Sequence, residues 1–443
     1  MLYSRTLNLN TREVLKMNYN QQRRIQQLTE NTLIVGADIA KYKHVARAQD
    51  YRGIELGKRL VFDNTRAGFT ALLTWIRQLQ KDHDKSGVIF GIEPTGHYWF
   101  PLAQFLRREG ISIVMVNPMH VKKSKELDDN SPTKNDTKDA RVIAQLVKDG
   151  RYTEPNQLTG VYAELRVAMV QRERLTRNLG QVNNRVQNWL DRYFPEYLTV
   201  FKDWEGKASL LTLQHFPLPQ QIAELSVTDI VTTWKSGVNR AVGIKRASKL
   251  MAAARSSIGL TEGETMARLE LKILLEQYDL LTRQMEELAV GVGAILKQIP
   301  GTSEMMTIPG LGWVTAAGFL AETGDLSAYD HPQQIVRLAG LNLKENSSGR
   351  HKGQTSIARR GRPRLRALLF RSVLVMVAKN QEFKQLHRHY TTRAENPLRK
   401  KQSIIALCGK LIRVLFGIGR TKTAYAPDKV IREDLLAQWQ LAA

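Results

Sequence analysis

Only one cysteine, Cys408, occurs in the 443 residues. That leaves neither an internal disulfide framework nor a cysteine zinc cage open to this chain. Long apolar runs are missing as well. A membrane-spanning helix needs about 18 to 20 predominantly apolar residues, and the stretch "LLFRSVLVMVA" is broken by Arg371. The opening "MLYSRTLNLNTREV" carries no apolar core of the secretory kind. No membrane partner is expected, and the cytoplasm is the expected location. Acids are scarce too, 42 Asp and Glu against 66 Lys and Arg, so the net charge is +24 and the pI about 10.0. Such a surplus calls for a polyanionic partner, with nucleic acid ahead of an anionic membrane surface. What the chain does have is enough apolar content, 42%, to bury the cores of two or three domains.

Residues 1–32 read as a polar N-terminal extension, and 33–158 as an α/β domain. "NTLIVGADIAKYKHVARAQD" is an apolar strand, a turn and a second strand, and a third strand follows at "ELGKRLVFDN". "TRAGFTALLTWIRQLQ" is a helix with an N-cap threonine; "SGVIFGIEPTG" returns to strand, "HYWFPLAQFLRREG" to helix, and "ISIVMVNP" to buried strand. Three sequential strands followed by alternating helix and strand fit an antiparallel meander with later crossovers, as in ribonuclease-H-like folds.

Four acids sit where such a sheet gathers side chains. Asp38 ends the first strand, Glu93 ends the fourth, and Asp136 and Asp139 stand three apart at a helix start in "KNDTKDARVIA". Carboxylates gathered this way repel one another unless a cation neutralises them. Hard oxygen donors select magnesium, or manganese, and two such ions about 3.5 to 4 Å apart hold the attacking and leaving oxygens of a phosphodiester. The plainer alternative makes each acid a solvated loop residue or a helix cap, and Asp136 is a natural cap. His97 reads as a packing or phosphate-contact residue. The segment "HVKKSKELDDNSPTKND" reads as a mobile loop. Its Lys122, Lys123 and Lys125 either steer phosphates toward the acids or are simply solvated.

From 159 to 300 two long, charged, apolar-periodic helices bracket an insertion at about 200–260. The pattern suggests a long antiparallel coiled coil for dimerisation or spacing, or else an ordinary helical bundle. A mainly helical domain is expected over 301–425, and a tail over 426–443. "TIPGLGWVTAAG" reads as a helix-hairpin-helix-like element, in which Gly310 and Gly312 allow close backbone approach and the following helix start offers amides to a phosphate; a plain interhelical turn has the same pattern. Between Leu343 and Ser372 stand nine bases, among them Arg350, Lys352, Arg359, Arg360, Arg362 and Arg364, against one acid, Glu345. Within this run lie Ser347 and Ser348. A serine held among guanidiniums near a metal can attack a phosphodiester in line and conserve the bond as a phosphoserine ester. "NSSGR" is equally a serine-glycine turn carrying a basic loop.

Taken together, "GADIAK", "GIEPTGHYW", "KNDTKDARVIA", "IPGLGWVTA", "LAGLNLKENSSGRHKGQTSIARRGRPRLRALLF" and "NPLRKKQSIIALCGKLIRVLF" resemble the insertion-sequence-110 family of DEDD transposases, from about residue 33 to 425. The resemblance implies a RuvC-like metal-binding domain at 33–158, a transposase domain with a catalytic serine at 301–425, and magnesium on Asp38, Glu93, Asp136 and Asp139. Ser348 is the implied nucleophile, forming a 5′-phosphoserine with donor and target DNA. It further implies a structured noncoding guide RNA from the element, a homo-oligomer, dimer or tetramer, with a composite site, and a bacterial or archaeal cell whose nucleoid the protein works on. Family members often read "S-K-R-G-N" where this chain has "ARRGRP", and Pro363 stands at a position usually compatible with helix. Two other readings use the same residues: a RuvC-like metal-dependent endonuclease with water as nucleophile, and a non-catalytic nucleic-acid-binding scaffold.

Overall fold

A computed structural model describes residues 21–431, except 95, 130–135, 156–157, 239–242, 345–346, 349–350 and 353–354, and describes the backbone alone at 126–129, 136–137, 347–348 and 351–352. Most of the N-terminal extension and of the C-terminal tail lies outside the described residues. Chain contacts divide the protein into two compact units, Met1–Gln157 and Leu158–Ala443.

The first unit is built on a six-stranded sheet of order β3-β2-β1-β4-β5-β6. β1 (Thr32–Asp38), β2 (Lys43–Gln49) and β3 (Leu60–Asp63) form an antiparallel meander. α1 (Arg66–Asp82) leads to β4 (Gly87–Ile92), and α2 (Trp99–Arg108) to β5 (Ser112–Val116), each new strand joining in parallel. Both the expected meander and the crossovers are present. Thr65 caps α1 as its sequence suggests, its side chain accepting from the Gly68 amide at 3.2 Å. The loop expected after β5 is instead a helix in its first part, α3 (Pro118–Asp129). Asn117 supplies the cap by accepting from the Met119 amide at 2.9 Å, Pro118 opens the helix, and Val121 is buried beneath it. Charge density alone hid those start signals. α4 (Asp136–Lys148) and a short antiparallel edge strand, β6 (Tyr152–Thr153), complete the unit.

Alternation along β1 decides what each face meets. Leu33, Val35 and Ala37 enter one apolar core with α1 and α2, while Ile34 enters a second with Val142, Ile143 and Val147 of α4. Gly36 lies on the α4 side, and in the parallel register it pairs with Gly91 of β4. A Cβ at Gly36 would stand 2.3 Å from the Ala140 carbonyl oxygen and 2.4 Å from the Ala144 nitrogen; one at Gly91 would stand 2.4 Å from a Val147 methyl. Two neighbouring glycines thus make a flat seat, Gly36 beneath the α4 backbone and Gly91 beneath the Val147 and Ile143 methyls.

The second unit is helical. α5 (Gly160–Tyr193) and α11 (Glu264–Leu296) run antiparallel. At one end the Trp189 indole donates to the Ala267 carbonyl at 2.8 Å and Arg192 pairs with Glu270 at 2.9 Å; at the other Leu165 shares a core with Val292 and Leu296. Between them α6 (Tyr197–Val200), α7 (Lys207–His215), α8 (Pro219–Glu224), α9 (Val227–Lys235) and α10 (Ile244–Arg255) close over a separate, aromatic-rich core containing Trp189, Trp204 and Trp234. The remaining helices are α12 (Thr302–Met305), α13 (Trp313–Thr323), α14 (Pro332–Leu338), α15 (Pro363–Lys379), α16 (Gln381–Thr392) and α17 (Lys400–Thr421). Pro363 is compatible with helix here because it is the first residue of α15, where no amide partner is required. By length and composition alone α17 is apolar enough to cross a membrane, contrary to the expectation that no run comes close. Its apolar stripe, from Ile404 to Ile418, is core packing, and burial of Cys408 there pushes its thiol up to about 12.

The glycine seat yields a direct test. Gly36→Ala should destabilise the protein by about 1 to 3 kcal/mol, the usual range for overpacking, read as a lower urea midpoint. An unchanged midpoint would mean that α4 is not seated on β1.

Candidate active site

The acids of the first unit gather through the same seat. Asp38 lies two residues beyond Gly36 and Glu93 two beyond Gly91, so the pleat turns both toward the α4 face. Asp139 immediately precedes Ala140, the residue whose carbonyl touches Gly36, and is 5% exposed. The Lys125 ammonium of α3 forms an ion pair with Asp139. Burial first, and then the charge of Asp139, raises the Glu93 carboxyl above its ordinary 4.5, and Lys125 opposes the rise. Glu93, Asp139 and Lys125 therefore form one electrostatic group. Asp136 opens α4, but its side chain lies outside the described residues. Among the described residues no group of three or more His, Cys, Asp and Glu side chains is drawn together closely enough to hold a metal. Lys122 and Lys123 are exposed on α3, and His97 is exposed with its ring against Tyr98.

In the second unit, Ser347–Ser348 form a short strand, β8, paired antiparallel with β9 (His351–Lys352), Ser348 opposite His351. The base of this ribbon is β7 (Leu343–Lys344) paired with β10 (Ser356–Ile357). The serine and Lys352 side chains, and all of Arg350, lie outside the described residues. After the ribbon, the Arg359 amide donates to the Gly340 carbonyl at 3.0 Å and the Arg362 amide to the Leu338 carbonyl at 2.7 Å, fastening the basic loop to the end of α14. Arg359 and Arg360 remain exposed. Arg362 turns inward to Glu322, 3.5 Å from its carboxylate, and burial followed by the charge of Arg166 holds its guanidinium below the ordinary value. Arg364 pairs with Glu173 at 2.9 Å.

Gly310 takes a left-handed φ of +84° in the turn between α12 and α13, and a Cβ there would approach Lys379 to 3.2 Å. Gly312 is the exposed N-cap of α13, with no side-chain cap. What the sequence did not reveal is the position of Lys125 against Asp139, and the arginines that α5 and α15 turn toward one another, Arg166, Arg172 and Arg371. Helical spacing of 166, 169, 172 and 176 on α5, and of 364, 368 and 371 on α15, is the signal that could have found them.

Known proteins resemble this chain over most of its length. A DEDD-type IS110 family model described as transposase matches residues 35–195, and one described as "Transposase IS116/IS110/IS902 family" matches 295–388; together they take in more than half of the chain. The 44.8 kDa protein of insertion element IS116 from Streptomyces clavuligerus is 24% identical over 89% of this chain and 96% of its own length. The mini-circle putative transposase for IS117 of Streptomyces coelicolor is 26% identical over 72% of this chain and 78% of its own. A pilin gene-inverting protein of Moraxella bovis is 31% identical over 30% of this chain and 40% of its own. The chain belongs to the IS116/IS110/IS902 family of transposases, and DNA transposition or recombination is its activity.

The raised Glu93 carboxyl has a stability consequence. Because the folded protein holds this acid above its unfolded value, the charged form weakens the fold at pH above the folded value, and the penalty vanishes as pH falls through the window toward 4.5. In chelator, Glu93→Gln should therefore unfold at a higher temperature than wild type at pH 7.5 and at the same temperature near pH 4. A lower melting temperature at pH 7.5 would contradict the sign.

Proposed function

We propose that this transposase cuts and rejoins donor and target DNA through a phosphoserine, with a divalent cation, magnesium or manganese, held by Asp38, Glu93, Asp136 and Asp139. The observation that carries the reading is the approach of Glu93 and Asp139 on the α4 face of the sheet, with Asp38 at the neighbouring strand end. The donors suit the ion: all are hard oxygens, and the positive charge of Lys125 already lies against Asp139 and acts on Glu93. Bound there, such a cation supplies positive charge for the transferring phosphoryl group. The meander followed by parallel strands supports a RuvC-like, ribonuclease-H-like assignment for 33–158, and the antiparallel α5 and α11 support a coiled-coil spacer within 159–300, ahead of a transposase domain at 301–425.

In this reading the Ser348 hydroxyl attacks phosphorus, the bond to the 3′ oxygen breaks, and that oxygen leaves as a 3′ hydroxyl. The 5′ phosphate stays esterified to the serine. A 3′ hydroxyl from the other DNA then attacks, and the serine hydroxyl is regained. Conserving the bond in the ester removes any need for ATP. Arg359 and Arg360 hold phosphates near the ribbon, Gly312 offers the amides of α13, and Lys122 and Lys123 draw DNA toward the acids. Because the acids and the serine belong to separate compact units, a composite site in a homo-oligomer is compatible with the chain. Guidance by a structured noncoding RNA rests on the family resemblance, and cytoplasmic, nucleoid-associated action follows from a DNA substrate.

Incubating protein, flanking RNA, labelled DNA and magnesium, then denaturing, should give a protease-sensitive protein–DNA adduct that Ser348→Ala removes and Ser347→Ala keeps. DNA cut without any adduct would replace the serine with water and make the protein a nuclease. Asp139→Asn should lower cleavage by at least about 100-fold, the upper range for loss of a mere outer-shell partner, with DNA affinity within about threefold of wild type. Cleavage at the wild-type rate would remove Asp139 from the site.

A further inference from the structure

Where α5, α13 and α15 meet, the helical unit holds a cleft of about 480 Å3. Each helix contributes one stripe of residues at three-to-four spacing, and the charges on those stripes do not balance. Glu322 is shared by Arg166 at 3.7 Å and Arg362 at 3.5 Å. Glu173 is shared by Arg364 at 2.9 Å and Arg177 at 3.9 Å. Arg172 and Arg371 are left over: neither has a carboxylate partner among the described residues. The Arg172 guanidinium lies 5.5 Å over the Trp313 ring, and its Nε is shut off from solvent with no acceptor. Burial, and then the charge of Arg371, pushes the Arg172 guanidinium below its ordinary value. Two like charges thus share one cleft, where an incoming anion would relieve them.

We propose that this cleft seats a backbone phosphodiester of the nucleic acid on which the transposase acts, with Arg172 and Arg371 as its ligands. A guanidinium fork matches the two non-bridging oxygens of such a group, and the indole fixes the fork's plane before the ligand arrives. Apolar walls from Met169, Val314 and Leu368 suit the sugar beside the phosphate. Exchange of Arg364 away from Glu173 would bring a third guanidinium to the same oxygens. This inference rests on nucleic acid being the substrate, and on neither the serine nor the four acids.

The test uses the full chain in chelator, so that acid-site chemistry is silent and its failure leaves a separate signature. Fluorescence anisotropy would give Kd for a labelled 40-base-pair DNA duplex and a 40-nucleotide single-stranded RNA, probes of about 40 units exceeding several phosphate contacts, across a potassium chloride series. Arg172→Gln/Arg371→Gln should weaken at least one probe by about tenfold or more near 0.15 M salt, and flatten its salt dependence by about 0.7 to 0.9 per lost phosphate contact. The probe that loses affinity identifies the strand seated in the cleft. Arg255→Gln/Arg283→Gln, which removes two exposed charges elsewhere, is the charge-matched control. Equal effects of the two double variants on both probes, or no effect of either, would overturn the proposal. Arg371 is exposed, so Arg371→Gln alone keeps the core intact if the double variant misfolds. It should lose about threefold or more on the same probe, and wild-type affinity and salt slope on both would equally overturn the assignment.

Discussion

Everything proposed for the first unit depends on how closely α4 lies against the sheet. Helix backbones stand off a sheet by the thickness of the side chains between them. At Gly36 that thickness is removed and the Ala140 and Ala144 backbone fills the space, while at Gly91 methyls of Val147 and Ile143 fill it. Bringing α4 down also brings Asp139 to the level of Glu93, into surroundings where like charges repel strongly. Lys125 answers that repulsion from α3, which has its own cap at Asn117 and its own anchor at Val121. A helix, two strands and a capped turn are therefore coupled through one electrostatic group.

The second unit resolves a different difficulty, an excess of arginine. Its cores are ordinary and apolar, built on Phe319, Leu369 and Phe383 in one case and on Trp189 and Trp234 in the other. Its charge is sorted by depth. Glu322 takes Arg166 and Arg362 and holds them half-buried, Glu173 pairs with Arg364 and Arg177 at the surface, and Arg359 and Arg360 stay exposed on a loop fastened by backbone hydrogen bonds. A run of arginines that looks uniform in the chain is thus divided between structural and available charge. Arg172 and Arg371 belong to neither class, which is why the cleft attracts notice.

Much of the architecture was legible in the residues. A continuous apolar run marked β1, the threonine before "RAGFTALL" marked α1, and long 3.6-residue periodicity marked α5 and α11. These signals are local, since each depends on residues within one or two turns. The helix α3 was concealed because its lysines outweigh a short apolar signal, although "NP" announced its start. An edge strand of two residues such as β6 is too short to show a period.

Local chemistry, then, determined the order of elements, the net charge of +24 and the acids at the ends of β1 and β4. Helix and strand periods, caps and composition act over a few residues, so a linear reading reaches them. Only the tertiary structure decided that Gly36 and Gly91 lie side by side, that Lys125 faces Asp139, and that Glu322 claims Arg362 while leaving Arg371 without a carboxylate among the described residues. Those pairings join residues far apart in the chain, and they follow from register and packing distance, which no single segment encodes.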